Sequence, residues 1–319
     1  MPTLVIDRFD GHRHYQQHYT LAREDVTGKT VLGVLLFIKQ RLDASLNFTA
    51  SCRCAICGAC GVRVNGHAIL ACDTHIDDLF RLYATDTLTI SPLANFPVIS
   101  DLVVDWEPAL GNLAVMRPNL VPKTPFSPEQ GCTQTPEQLE EICKDWDCIL
   151  CGCCASECNK LTAGQHDYME PSAYVHASRA AADSRGGDPM RHGKPAAHNG
   201  LWKCVHCQEC ADRCPKGISP AENIARLRGI VMRHGMHGGP GPRHARAFVS
   251  DLVEGSGRLN EIRMDLRTEG LAALGRMGTA LTLLRKGKLR PASLFGEPPI
   301  EGHEQLRAMI NAARAQGKE

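Results

Sequence analysis

Cysteine is the residue type in this chain whose spacing can do chemistry. Sixteen cysteines stand among 319 residues. Two runs far apart in sequence share one pattern: Cys148, Cys151, Cys154 and Cys158, then Cys204, Cys207, Cys210 and Cys214, the last followed by Pro215. Both read C-x2-C-x2-C-x3-C. In that spacing three cysteines of a run hold one iron–sulfur cluster and the fourth reaches to the other cluster. A cubane gives each iron one outward tetrahedral position. A two-residue gap lets a tight turn wrap three corners with its N–H groups aimed at the sulfides, and the fourth corner needs a ligand from elsewhere. The expected sets are Cys148, Cys151, Cys154 and Cys214 for one [4Fe–4S] cluster, and Cys204, Cys207, Cys210 and Cys158 for its neighbour. A zinc site would pair C-x2-C with one further pair and would not need two matching runs of four.

A third set lies nearer the N-terminus. Cys52, Cys57, Cys60 and the distant Cys72 have the plant-type [2Fe–2S] spacing. Gly58 and Gly61 sit among these ligands, where a chain folded tightly over a cluster has no room for Cβ atoms. Asn65-Gly66 is a hairpin signal that returns Cys72 to the loop. Cys54 reads as a spectator thiol, since four others already fill that site. Cys153 is expected to be a small buried neighbour of a cluster, as are Cys132 and Cys143 more loosely. His192 and His198 have no partner at ligand spacing and are expected in a solvated loop.

The elements that must position these thiols follow from periodicity. Leu4, Ile6 and Phe9 begin an extended stretch, with His18 to Leu21 as its hairpin partner. Thr30 is an N-cap for a helix carrying Val31, Leu32, Leu35, Leu36 and Ile38. Leu88, Ile90, Val98 and Leu102 supply closing strands. Further on, Thr135-Pro136 opens a helix that delivers the chain to Cys148, and 171–182 is helical. Residues 184–200, rich in Gly, Pro and His, read as a loop. Ser219-Pro220-Ala221-Glu222 caps a helix with Ile224, Leu227 and Ile230 on its buried stripe. Gly238 to Pro242 is a breaker, followed by helices near 244–254, 260–268 and 271–285. Arg285, Lys286, Lys288 and Arg290 form a basic cluster read as a solvated helix end, with a membrane-surface or acidic-partner role as the alternative.

The expected fold is α+β. A β-grasp [2Fe–2S] domain over 1–105 precedes an α-helical two-cluster domain over 106–235 and a helical C-terminal extension over 236–319. The formal net charge of +1 implies no polyanionic partner, so nucleic acid is not expected. Abundant cysteine without a secretory pattern at the N-terminus points to metal ligation in a reducing compartment. The longest apolar run, near 31–38, is too short to span a bilayer, so membrane attachment is expected through another subunit.

With a [2Fe–2S] domain ahead of a two-cluster helical domain, residues 1 to about 235 resemble the iron–sulfur subunit of succinate dehydrogenase and fumarate reductase. The matching stretches are Ser51-Cys52-Arg53, Cys57-Gly58-Ala59-Cys60, Leu70-Ala71-Cys72, Cys148-Ile149-Leu150-Cys151 and Cys214-Pro215-Lys216. The resemblance implies a non-catalytic electron-transfer subunit of an oxidoreductase. It implies an FAD-containing flavoprotein partner, a membrane-anchor partner, and a quinone pool reached indirectly. It also implies a peripheral place on the cytoplasmic side of the inner membrane, with the [2Fe–2S] cluster toward the flavin. In common members the position matching Cys207 is not Cys and the third cluster is [3Fe–4S]; here a second [4Fe–4S] cluster is expected instead. Asn159 replaces the usual Pro, the Trp residues that commonly line the quinone pocket are absent from Lys160-Leu161-Thr162, and Val205 stands where many members have His, with His206 one place on. The extra Cys and long tail resemble variant complexes whose membrane-side partner is a cysteine-rich, heterodisulfide-reductase-like subunit. A thiol-linked fumarate reductase or heterodisulfide-reductase-like oxidoreductase is the alternative.

Overall fold

Apolar alternation at the N-terminus builds the first strand. β1 (Thr3–Phe9) buries Leu4 and Ile6 and pairs antiparallel with β2 (His14–Thr20), Leu4 opposite Tyr19. The computed structural model describes residues 1–129, 131, 133–164, 167–289 and 298–316. Two units make up the chain, Met1–Val231 and Met232–Glu319.

In the first unit, β3 (Gly61–Val64) and β4 (His67–Leu70) close a hairpin over Asn65 and Gly66, whose φ values are 48° and 86°. Both central residues of such a turn need positive φ, which is why Asn-Gly serves there. β5 (Thr87–Ser91) enters between β1 and β3, parallel to the first and antiparallel to the second, giving the order β2-β1-β5-β3-β4. The helix Val31–Arg41 lies in the same core, burying Val31, Leu32, Val34, Leu35 and Ile38. Thr30 Oγ1 caps it, accepting from the Gly33 N–H at 3.1 Å. Strands and one clasped helix form the β-grasp arrangement. Val98 and Leu102 depart from expectation: β6 (Val98–Ser100) pairs with β7 (Val103–Val104) in a separate two-stranded sheet, and Leu102 is buried between them. Pro92 and Pro97 lie between β5 and β6 and withhold the N–H groups a continued ladder would need.

The rest of this unit is helical. Pro136–Cys143 carries a full capping box: Thr135 Oγ1 accepts from the Gln138 N–H at 3.3 Å, and Gln138 Oε1 accepts from the Thr135 N–H at 3.1 Å. Pro171–Ala182 and Pro220–Arg233 also form as expected, and the Glu222 N–H reaches Ser219 Oγ at 3.4 Å. The loop expected over 184–200 is instead a helix at Met190–His198, with His192 buried. Asp188 starts it, its Oδ1 accepting from the Met190 N–H at 2.8 Å, and Pro189 sets the entry φ. Cys143 is exposed at the end of its helix rather than buried near a cluster, because that helix turns only Ile142 inward; Cys132 lies outside the described residues.

His176, on Pro171–Ala182, is buried with its Nε2 unpartnered. Burial, and then the charge of Arg179, lower its pKa from 6.5 to about 4. The unfolded chain therefore takes up a proton that the folded chain refuses as pH falls below 6.5. Stability from this group is present at neutral pH and is lost on acidification, by about 2 kcal/mol between pH 7 and pH 5. His176→Phe is expected to flatten that part of the stability–pH curve, measured by denaturant unfolding at the two pH values.

Among the described residues, the second unit holds helices Pro240–Val249, Glu261–Glu269, Met277–Arg285 and His303–Gln316, with a π turn over Ser250–Glu254 and a 3-10 turn over Gly270–Arg276. Its first helix begins inside the expected breaker, since Pro at the first helical position costs no hydrogen bond. Asn260 caps the next, accepting from the Arg263 N–H at 2.9 Å, and buried Asp251 pairs with Arg267 at 2.9 Å. The final helix had no counterpart among the expected elements, and Arg290 lies outside the described residues.

Candidate functional site

The loop 52–60 wraps its own sulfurs. Cys52 Sγ accepts from the N–H groups of Cys54, Ile56 and Cys57 at 3.5, 3.4 and 3.3 Å, and Cys72 Sγ accepts from the Ala55 N–H at 3.3 Å. Positive φ at Arg53, Ala55 and Gly58 turns these donors inward. The N–H groups of Cys54 and Ile56, first among the causes, bring Cys52 down to about 6. Burial pushes Cys60 up to about 12. Cys72 arrives from β4, its loop fixed by the Ala71 N–H donating to Cys60 O at 3.1 Å. The structure thus brings Cys52, Cys57, Cys60 and Cys72 to one loop mouth. Cys54 is exposed there, its N–H pointing at Cys52.

The two later runs adopt the same turn. Leu150 and Gly152 have φ of 52° and 79°; His206 and Gln208, at the equivalent places, have 55° and 68°. A short helix follows each turn, Cys153–Ser156 and Glu209–Asp212. In the first, N–H groups of Leu150 and Cys153 point at Cys148 and Cys151. In the second, the His206 N–H donates to Cys204 Sγ at 3.4 Å. Sulfur-directed N–H groups of this kind favour the thiolate and tune a cluster's potential.

The thiols group across the runs. Cys148, Cys151, Cys154 and Cys214 line a small cavity walled by Ile149, Leu150, Val175, Ile218 and Pro220. Cys158 feels the charges of Cys204 and Cys207, and Cys210 those of Cys204, Cys158 and Cys207. Burial, the largest cause, raises Cys148, Cys154 and Cys158 and pushes Cys210 up to about 12, with the neighbouring thiols adding to it. Four such thiols resist ionising together unless a cationic core sits among them, which is the chemistry an iron–sulfur cluster provides. Among the described residues no three His, Cys, Asp or Glu side chains converge on a point suited to one metal ion. Thiol-only donors that receive backbone N–H groups suit the chemistry of an iron–sulfur core.

Contacts order the three groups. A Cβ on Gly58 would lie 2.7 Å from Ile149 O and 2.9 Å from Cys151 Cα, and one on Gly61 would lie 2.9 Å from Cys151 O. The loop 52–60 therefore touches the first run backbone to backbone. Asn95 Nδ2 donates to Ala155 O at 2.8 Å, and Arg63 pairs with Glu157 at 3.0 Å, fixing that approach. Cys154 in turn feels the charge of Cys210 in the second run. Cys153 is buried as expected; its thiol, then burial and its N–H, act on Cys151 and leave it at about 7.

Sequence reasoning missed the brace behind both runs. From the helix Pro220–Arg233, Asn223 and Arg226 donate to buried Asp145 at 2.8 and 2.9 Å, and Asp145 O accepts from the Cys148 N–H at 3.4 Å. Two residues on, Arg228 donates to Leu201 O and Cys204 O, both at 2.8 Å, and to His206 Nε2 at 2.8 Å, which places the imidazole proton on Nδ1. The available signal was Asn223 and Arg226 at helical spacing beside an apolar stripe. Asn159, in the place of a Pro, turns its Nδ2 toward Cys207 Sγ at 3.8 Å. Of the two histidines weighed in sequence, His198 is exposed and His192 is buried beside the backbone of Met116 and Arg117.

Comparison with known proteins places these features. A family model described as a 2Fe-2S iron-sulfur cluster binding domain matches residues 3–110, and one described as a 4Fe-4S dicluster domain matches 146–218. The chain is 60% identical over 316 residues, 99% of both chains, to the 8-methylmenaquinol:fumarate reductase iron-sulfur subunit of Wolinella succinogenes. It is 37% identical over 208 residues to the fumarate reductase iron-sulfur subunit of Mycobacterium tuberculosis, covering 65% of this chain and 82% of that one. Its fold matches a chain of the Mycobacterium smegmatis Sdh1 complex with a TM-score of 0.64 at 21% identity, over 73% of this chain and 96% of that one. The chain belongs to the family of iron–sulfur subunits of succinate dehydrogenase and fumarate reductase.

Proposed function

We propose that the twelve thiols form a three-step electron relay, and that Cys52, Cys57, Cys60 and Cys72 hold its [2Fe–2S] end. Cys148, Cys151, Cys154 and Cys214 hold a [4Fe–4S] cluster, and Cys158, Cys204, Cys207 and Cys210 hold the third, also [4Fe–4S]. The relay runs through residues 1–105 and 106–235 as two cluster domains, with 236–319 as an extension. The observation that carries this reading is the backbone contact of Gly58 and Gly61 with Cys151, continued by Cys154 beside Cys210. When bound, the clusters take and give single electrons; the chain's own residues shape the path. The N–H groups aimed at sulfur stabilise thiolates, the apolar wall of Ile149, Val175 and Ile218 excludes water, and the glycines bring the loops within contact.

The relay serves as the electron-transfer subunit of a fumarate reductase, with a FAD-containing flavoprotein at the [2Fe–2S] end and a membrane-side subunit at the other. That second partner is an anchor or a cysteine-rich, heterodisulfide-reductase-like chain on the cytoplasmic side of the inner membrane, and a menaquinol-type quinol is the ultimate donor. The full-length identity to a menaquinol:fumarate reductase subunit supports the fumarate-reducing direction. Among the described residues no helix is long and apolar enough to cross a membrane.

EPR of the purified chain tests the ligand assignment. The oxidised protein is expected to lack a three-iron signal. In Cys207→Ser that signal is expected to appear, with the reduced [2Fe–2S] spectrum unchanged. A strong three-iron signal in the oxidised wild type refutes four-thiolate ligation of the third centre.

A further inference from the structure

We propose that residues 270–288 form an interfacial segment by which this chain itself lies on an anionic lipid bilayer. Leu271, Leu274, Met277 and Leu281 are 85%, 55%, 56% and 51% exposed. Their spacing is not scattered. The 3-10 turn Gly270–Arg276 eclipses side chains three apart, and the helix Met277–Arg285 continues the row at four, so the four side chains make one stripe. Ala273, between them, faces inward and is buried, which leaves the stripe turned outward.

Charge completes the pattern. From Gly270 to Leu289 the sequence contains no Asp or Glu, while Arg285, Lys286 and Lys288 follow the stripe and are exposed. Arg276 is the other cation of the segment and is already paired, with Asp265 at 2.7 Å and Glu269 at 3.3 Å. An apolar stripe flanked by cations that have no ion pair among the described residues is the composition that inserts among acyl chains while its basic residues meet anionic headgroups. A protein groove is the weaker match. Stretch 270–289 has no Trp, Tyr or Phe, the rigid anchors that dominate protein contacts, and flexible Leu and Met side chains make up its apolar face. The segment is also too short to span a bilayer, so it lies in the surface plane. This inference is independent of the cluster assignment, because all twelve assigned thiols lie in the other unit.

Flotation of the full-length, cluster-loaded chain tests it, with vesicles of phosphatidylcholine alone or mixed with phosphatidylglycerol, under anoxic conditions. Wild type is expected to float with the mixed vesicles roughly 100-fold more tightly than with neutral ones, from three added cations, and to be released by salt. Leu274→Glu with Leu281→Glu is expected to abolish flotation with iron content unchanged. Lys286→Glu with Lys288→Glu, both on exposed positions, is expected to remove the preference for phosphatidylglycerol. Wild type left unfloated by either vesicle overturns the proposal. So does flotation that both variants retain, or a variant that floats normally but no longer co-purifies with its complex, which assigns the stripe to a protein partner.

Discussion

Replacing Cys214 by serine is expected to strip or convert the cluster of the first run and spare that of the second. Cys214 closes the second run, yet the run spacing sends it to the first. In the fold it lines the same cavity as Cys148, Cys151 and Cys154, and its Sγ accepts from the Ile218 N–H at 3.4 Å. Serine offers a harder oxygen donor that deprotonates far less readily than a thiol, so one iron corner is lost or weakly held. Cys158→Ser should produce the mirror result, damaging the set of Cys204, Cys207 and Cys210. Either loss breaks the middle or the end of the relay, and quinol-dependent fumarate reduction by the assembled complex should fall to background. Iron content and EPR of the two variants, compared centre by centre, check the crossing. If Cys214→Ser left the first centre intact and altered the third, the ligand sets would be wired within runs.

Gly58→Ala should be strongly damaging although it removes no ligand. Gly58 has φ of +74°, where a Cβ costs about 1–2 kcal/mol. The added methyl would also press on Ile149 O and Cys151 Cα, backbone atoms that cannot rotate aside, for another ~1–3 kcal/mol. The loops must part, and the loss should appear twice: as lower unfolding stability of the loaded protein, and as weaker magnetic relaxation of the reduced [2Fe–2S] signal by its reduced neighbour. Gly28→Ala is the matching control, because Gly28 has φ of +71° and nothing lies within 4 Å of its would-be Cβ. Equal effects of the two substitutions would remove the basis for reading Gly58 as a contact between relay steps.

Local chemistry was legible in the sequence, and non-local chemistry was not. Cysteine gaps of two residues are short enough that the turn fixes which three sulfurs of a run share a mouth, while the crossing of Cys158 and Cys214 rests on the spacing pattern of the paired runs. Asn65-Gly66 and Thr30 likewise carry their own backbone preferences. The helix at Met190–His198 was hidden because Gly, Pro and His dominate its composition, while Asp188, one side chain, decides its start. Cys143 was misread because its burial depends on which face of Pro136–Cys143 turns inward, and only Ile142 does. The brace of Asp145, Asn223 and Arg226 spans about 80 residues of sequence, and buried polar partners leave no periodicity to detect.

The helix Pro220–Arg233 reaches the first run through Arg226 and the second through Arg228. Its consequence is temporal. During synthesis the ribosome releases Cys148 long before residue 233, and until that late helix emerges neither turn is clamped. Iron delivery to both sites must therefore wait until most of the chain has been made.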